Sequence, residues 1–243
     1  MNDREIRVLD LFSGIGGFSL GLKRAGGFRT VAYCEIESYC QAVLLARMRD
    51  GWLDTAPIHS DITKLDGKPW RGRVDLICGG FPCQPFSSAS RGRRRGKEDH
   101  RWLWPEMYRL VEIIRPSWVL AENVPDIERA GLESVVSDLE ASDYQVAPPL
   151  EIPACAFGFD HRRSRLWILG YTNSYSESIM PINGEVARVQ RCGSDTGAMG
   201  TSDGIPRRMD RLSAIGNSVV PQIVEWIGRR IREAFIATDR EDR

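Results

Sequence analysis

Ile6-Arg7-Val8-Leu9-Asp10-Leu11-Phe12-Ser13-Gly14-Ile15-Gly16-Gly17 decides the fold class. Ile6 to Phe12 is an almost continuous apolar run of the kind buried on both faces of a sheet. The glycines after it predict a tight turn, and Phe18 to Ala25 reads as a helix stopped by Gly26-Gly27. The same texture repeats outward. Thr30 to Cys34 reads as a strand, Tyr39 to about Arg49 as a helix, and Ile58 to Ile62 and Val74 to Cys78 as strands. Pro105 suits a first helical position. Met107, Leu110, Val111 and Ile114 follow helical spacing behind it, and Pro116 ends the run. Trp118 to Ala121 is a further strand, Leu132, Val135, Val136 and Leu139 mark a helix, and Leu166 to Leu169 is a later strand. Strand alternating with helix predicts an α/β fold, Rossmann-like, with a parallel sheet and helices on both faces. Ligands in such sheets bind at the carboxyl ends of the strands.

After Gly170 the pattern breaks. Residues 171–211 are rich in Gly, Ser, Asn, Thr and Asp and lack periodicity. Order returns at Ile215-Gly216-Asn217-Ser218-Val219-Val220-Pro221, followed by a helix carrying Ile223, Ile227, Ile231 and Phe235. The expected organisation is one catalytic, ligand-binding domain from 1–170 and 212–243, interrupted by a small irregular region at 171–211.

The chain has 243 residues, 42% of them hydrophobic, enough for a packed core. No apolar run reaches the ~18 residues a membrane helix needs. The mixed polar start, Met1 to Arg7, does not read as a signal peptide. None of the six cysteines forms a C-x-x-C pair, so no metal is expected, and a reduced cytoplasmic compartment fits. Net charge is zero, which argues against a globally basic nucleic-acid binder. Of the 33 basic residues, however, only Lys23, Lys64, Lys68 and Lys97 are lysines, leaving 29 arginines. They cluster at Arg91, Arg93, Arg94 and Arg95, at Arg162, Arg163 and Arg165, at Arg207, Arg208 and Arg211, and at Arg229, Arg230 and Arg232. Arginine's planar fork suits phosphates and base edges, although a GC-rich genome enriches arginine too.

Three strand ends carry chemistry. At the first, Gly14, Gly16 and Gly17 let the backbone approach a nucleotide-like cofactor, and Glu35, at the end of the next strand, is placed for ribose hydroxyls. Gly-Lys-Ser/Thr is missing, so this is no phosphate loop; read alone, the turn is equally a plain tight βα connection. The second is Gly79-Gly80-Phe81-Pro82-Cys83-Gln84-Pro85. Two prolines hold Cys83 in a stiff turn, and the basic stretch Ser87 to Lys97 that follows favours thiolate. That stretch can equally be a solvated charge run, or a clamp on a phosphate backbone. The third is Glu122-Asn123-Val124, where partial burial would keep Glu122 protonated. A thiol nucleophile beside a carboxylic acid can attack and protonate a pyrimidine.

Together these segments resemble the DNA cytosine-5 methyltransferase family. Asp10 to Gly17 is similar to its S-adenosylmethionine motif, Gly79 to Ser87 to its nucleophile motif, and Glu122-Asn123-Val124 to its acid motif. His161-Arg162-Arg163-Ser164-Arg165 resembles its arginine motif, which more often opens with Gln, and Gly216 to Pro221 resembles its final motif. The five occur in the family's order across most of the chain. Asp99 and Leu103 resemble a weaker motif.

The resemblance implies methyl transfer from S-adenosylmethionine to carbon 5 of a cytosine flipped out of double-stranded DNA. Cys83 would attack carbon 6, protonated Glu122 would hydrogen-bond ring nitrogen 3 and steady the electron-rich intermediate, Arg165 would contact the flipped base, and Arg163 would support the catalytic loop. For the cofactor it implies Asp10, Phe12, Gly14, Gly16, Gly17, Glu35, Ile36, Asp61, Asn217 and Ser218. For DNA it implies Gln84 and Ser87 on the loop, with Arg91, Arg93, Arg94 and Arg95 beside them. It implies a monomer without metal, acting in restriction–modification, as an orphan, or for a phage. The recognition region, 171–211, is shorter than the family's, so a short or degenerate target or a recognition partner chain is expected. Two alternatives are a catalytically weak DNA-binding protein and an RNA cytosine methyltransferase; the Cys-Phe-Thr signature of the RNA branch is absent from the sequence.

Overall fold

The computed structural model describes residues 4–82, 102–129, 131–172, 174 and 216–241. Its strands are β1 (Ile6–Leu11), β2 (Phe28–Cys34), β3 (Ile58–His59), β4 (Leu76–Gly80), β5 (Trp118–Asn123), β6 (Tyr144–Val146), β7 (Leu150–Pro153) and β8 (Ser164–Thr172). Its α-helices are α1 (Gly17–Ala25), α2 (Ser38–Arg49), α3 (Trp104–Ile114), α4 (Leu132–Ala141) and α5 (Pro221–Glu241). All strands join one sheet in the order β3-β2-β1-β4-β5-β8-β6, with β7 also paired to β8.

The expected α/β architecture is present. Side chains alternate across the central strands, and both faces are buried. Leu9, Leu11, Ile77, Val119 and Ala121 face a core closed by Met107, Leu110 and Val111 of α3 and Val135 and Leu139 of α4. Ile6, Val8, Leu76, Cys78, Trp118 and Leu120 face the opposite core, closed by Phe18 and Leu22 of α1 and Ile223, Val224, Ile227 and Ile231 of α5. Two-sided burial explains why these strands read as unbroken apolar runs.

The parallel reading holds only from β1 to β5. β8 runs antiparallel to β5, and both β6 and β7 run antiparallel to β8. Chain length between strands gives the reason. β6 is reached through α4 and keeps the direction of β5, leaving a slot between them. β8 fills that slot after a connection from β7 that spans only residues 154–163 and includes a 3-10 turn (Ala154–Phe157), too short for a parallel crossover. The short third strand also shrinks to two residues, because Ile62 belongs to a 3-10 turn capped by Asp61.

The chain moves outward from β1 through β2 to β3, then returns to place β4 on the other flank of β1. The crevice at such a reversal lies outside the carboxyl ends of the two central strands. Those ends carry Phe12 to Gly17 and Gly80 to Pro82.

Candidate active site

The glycine turn is held from several sides. Ser13 donates to the Asp10 carbonyl (2.6 Å) and joins the end of β2 through Cys34. Phe12 has φ 52, a strained value for a residue with a Cβ, and Gly14 and Gly16 also lie in the left-handed region. Asp10 is fully buried. Its Oδ2 accepts from the Ser19 amide (3.2 Å) and Ser19 hydroxyl (2.6 Å), and Thr30 donates onward to Ser19 (2.9 Å). Burial, followed by weaker repulsion from Glu35, pushes the Asp10 carboxyl up to about 7 against its hydrogen bonds. With no accessible surface of its own, Asp10 fixes the start of α1 through Ser19.

Glu35 is buried at the end of β2. It accepts from the Gly14 amide (2.6 Å) and the Glu37 amide (2.8 Å), so one carboxylate joins the turn to the β2–α2 loop. Burial raises its pKa against those hydrogen bonds. Beside it Ile36 stands 71% exposed, an apolar side chain available to a flat base. A Cβ at Gly14 would meet nothing nearer than the Phe12 carbonyl at 4.0 Å, so the space over the turn is open. Asp61 accepts from the Thr63 amide (3.0 Å) and hydroxyl (2.7 Å), and these bonds, with Lys64, hold its carboxyl below the usual range. An open glycine turn, a buried acid and an exposed apolar side chain are the parts a nucleoside-type cofactor needs.

The final segment closes this pocket from the other end of the chain. A Cβ at Gly17 would lie 2.8 Å from Val219 Cγ2 and 3.0 Å from Ser218 Oγ, so residues 218 and 219 pack directly on the turn. Asn217 is exposed beside them. Arg163 donates to the carbonyls of Ser218 and of Gly216, the latter at 2.6 Å. Its guanidinium thus clasps the returning segment. The catalytic loop that Arg163 is expected to support lies outside the described residues.

Glu122 is the acid of the site. It sits near the end of β5, opposite Gly80 of β4 and Trp167 of β8. Arg165 pairs with it, Nε to Oε1 at 2.8 Å. Burial pushes the Glu122 carboxyl up to about 7, although Arg165 and Arg163 both oppose the rise. Both protonation states are therefore accessible near neutrality. A Cβ at residue 80 would lie 2.6 Å from Glu122 Oε2, so the glycine makes room for the carboxyl group.

The next residue of β5, Asn123, donates through Nδ2 to the Phe81 carbonyl just beyond β4, at 2.9 Å. Phe81 packs edge-on against Trp102 and tilted against Trp104, with ring centroids 5.5 and 5.3 Å apart. The Leu103 amide reaches the Pro82 carbonyl at 3.4 Å. The residue before Cys83 and those after 101 are thus anchored side by side, next to Glu122. Cys83, Gln84, Ser87, Arg91, Arg93, Arg94, Arg95 and Asp99 lie outside the described residues. Among the described residues no three His, Cys, Asp or Glu side chains converge to hold a metal ion, and no helix is long and apolar enough to cross a membrane.

Sequence reading missed Ser19, Thr30, Arg47, Gly80 and Asn123 as parts of the site. Only Gly80 and Asn123 carried a signal, through their places beside Cys83 and Glu122.

Residues 6–196 match the family model for C-5 cytosine-specific DNA methylase. Type II methyltransferase M.PspPI of Psychrobacter sp. (strain TA137) is 38% identical over 172 residues, covering 69% of this chain and 40% of that protein. M.Eco47II of Escherichia coli is 35% identical over 178 residues, covering 71% and 41%. The crystal structure of a DNA modification methyltransferase encoded within an E. coli prophage aligns with TM-score 0.58 at 30% identity, over 73% of this chain and 51% of that one. The chain thus spans about half or less of the length of these relatives. A match over most of the sequence, and over the sheet that carries the glycine turn and Glu122, places the chain in the C-5 cytosine-specific DNA methylase family.

Proposed function

We propose that the chain methylates carbon 5 of cytosine in double-stranded DNA, with S-adenosylmethionine as methyl donor and Cys83 as nucleophile. The observation that carries this reading is the buried Glu122 carboxyl, raised to about 7 and paired with Arg165, one strand from the Phe81-Pro82 turn that leads into Cys83. A carboxylic acid available as a proton donor near neutrality is what addition to a pyrimidine requires.

The Cys83 thiolate would add to ring carbon 6, and Glu122 would deliver its proton to ring nitrogen 3. The displaced electron pair then makes carbon 5 nucleophilic. S-Adenosylmethionine supplies an electrophilic methyl group. Loss of the carbon-5 proton to a solvent base, elimination of the thiolate and return of the ring nitrogen 3 proton to Glu122 would restore the aromatic ring and the acid. Arg165 holds the Glu122 carboxyl in place, at 2.8 Å, for that proton transfer. Glu35, Ile36 and Asp61 would receive the adenosine, and Phe12, Gly14, Gly16, Gly17, Asn217 and Ser218 the methionine side. Arg91, Arg93, Arg94 and Arg95 would meet phosphates. Residues 1–170 and 212–243 would form the catalytic unit and 171–211 a reduced recognition region reading a short or degenerate site, alone or with a partner chain. The relatives' designation as type II methyltransferases supports a role in restriction–modification, or as an orphan or phage methylase.

The test is nucleoside mass spectrometry on DNA from cells expressing the chain beside its Cys83→Ala variant. 5-Methylcytosine that disappears in the variant supports the reaction and the nucleophile. 5-Methylcytosine that persists overturns the nucleophile. No modified cytosine, from protein that still binds S-adenosylmethionine, favours the second reading, a chain that needs a recognition partner.

A further inference from the structure

The first turn of α1 leaves its amides without intrahelical partners, as in any helix, and its first backbone bond runs from the Leu20 amide to the Gly16 carbonyl at 3.0 Å. One of the free amides, that of Ser19, is capped by Asp10 at 3.2 Å. The Ile15 carbonyl, in the glycine turn just before the helix, is taken by a side chain from another element: Arg47 of α2 donates to it through Nη1 at 2.6 Å. Asp10 and Arg47, far apart in sequence, thus fix the helix start and the glycine turn from two sides.

Arg47 differs from an ordinary arginine at a helix end. Its neighbour Arg49 is exposed and pairs with Asp50. Arg47 is half-buried, and among the described residues it makes no ion pair. The apolar side of the same brace is Leu44 and Leu53. A Cβ at Gly16 would lie 3.0 Å from Leu44 Cδ2 and 2.6 Å from Leu53 Cδ1. The Trp52 and Leu53 amides in turn bond the Arg47 carbonyl, at 2.9 and 3.2 Å, so the chain leaving α2 folds back onto the turn. Burying a guanidinium without an anion is costly. That cost is offset where the group satisfies a carbonyl that would otherwise lose its partner.

We infer that Arg47 is a positioning residue for the methyl donor: its guanidinium, through the Ile15 carbonyl, fixes the peptides of the glycine turn in the orientation that receives the cofactor. The inference rests on the proposed binding of S-adenosylmethionine at this turn. Arg47 acts through the backbone and is not itself a catalytic residue.

The experiment is calorimetric titration of S-adenosylmethionine into the wild-type chain, Arg47→Met and Arg47→Lys, together with melting of each protein without ligand. Removing a charge-assisted hydrogen bond should weaken binding about tenfold in Arg47→Met. Its ligand-free melting temperature should stay within about 2 °C of wild type, as for a half-exposed side chain. Arg47→Lys, which keeps a charged donor, should recover at least part of the affinity. In steady state the KM for S-adenosylmethionine should rise while kcat at saturation holds within about twofold, the signature of lost binding without lost chemistry. Affinity of Arg47→Met within about twofold of wild type overturns the inference. So does a loss that Lys does not recover, or one matched by a collapse in ligand-free melting, because each marks plain packing. Wild-type protein that does not bind S-adenosylmethionine overturns the cofactor reading itself, separately from Arg47.

Discussion

At the scale of single residues, Glu122 concentrates the chemistry. Its carboxyl is 6% exposed, has one guanidinium partner and is raised to about 7. If its proton is the one delivered to the base, methylation should decline as pH rises through about 7, because the acid form is then lost. Glu122→Gln keeps the shape and removes the proton. The rate should fall by about 10²–10⁴-fold, with the pH dependence abolished, in a single-turnover assay on duplex DNA. Gly80 gives a sharper geometric test. In Gly80→Ala a methyl group would lie only 2.6 Å from Glu122 Oε2, so the carboxyl group must shift. Methylation should fall at least tenfold, by roughly the 10²-fold that a misplacement of about 1 Å brings, while calorimetric binding of S-adenosylmethionine is retained. These pairings also show the limit of reading a sequence by residue. Glu122 stood out because it stands at the end of an apolar run beside local markers. Gly80 against Glu122, and Arg163 on Gly216 and Ser218, depend on strand register and on contacts across more than forty residues, which no local pattern encodes.

At the scale of elements, the pocket depends on how closely α1 and α5 approach. Both lie on the same face of the sheet, and the contact is made of Phe18, Leu22 and Ala25 against Ile223, Val224, Ile227 and Ile231. Gly21 permits it: a Cβ there would fall 2.5 Å from the Pro221 carbonyl and from Val224 Cβ. Gly21→Ala should destabilise the protein by about 1–3 kcal/mol through overpacking, read as a lower urea midpoint. It should also weaken cofactor binding, because Ser218 and Val219 enter α5 just before the displaced contact. The helices and the four longer parallel strands, β1, β2, β4 and β5, were legible for the physical reason that each buries a stripe or a full run. Tyr144-Gln145-Val146 and Leu150-Glu151-Ile152-Pro153 were not, since each is short, bears an exposed polar residue, and becomes a strand only because β8 offers an edge.

At the scale of the whole molecule, two buried carboxyls shape stability against pH. Asp10 and Glu122 are both raised to about 7 in the folded chain, from ordinary values of 3.8 and 4.5. A carboxyl raised by folding binds its proton more tightly in the native state. Its contribution is fully present below about pH 4, declines as pH rises, and is gone above about 7. Asp10→Asn cannot titrate. Melting temperatures of the variant relative to wild type should therefore shift in the variant's favour between pH 5 and pH 8. A difference that does not change over that range would mean Asp10 stays ionised in the folded protein.

The clasp between Arg163, Ser218 and the glycine turn also orders events in time. Synthesis runs from the amino end, so residues 13–17 leave the ribosome before anything else in the pocket. Residues 216–220, which pack on them, leave some two hundred residues later. A nascent chain that has emerged through Thr172 carries every strand among the described residues and both Glu122 and Arg165, but not the segment that packs on the glycine turn. At the ~5–20 residues per second of translation, each new copy spends seconds before residues 216–220 can reach residues 13–17. The described pocket is thus completed only once α5 and the segment before it have been made.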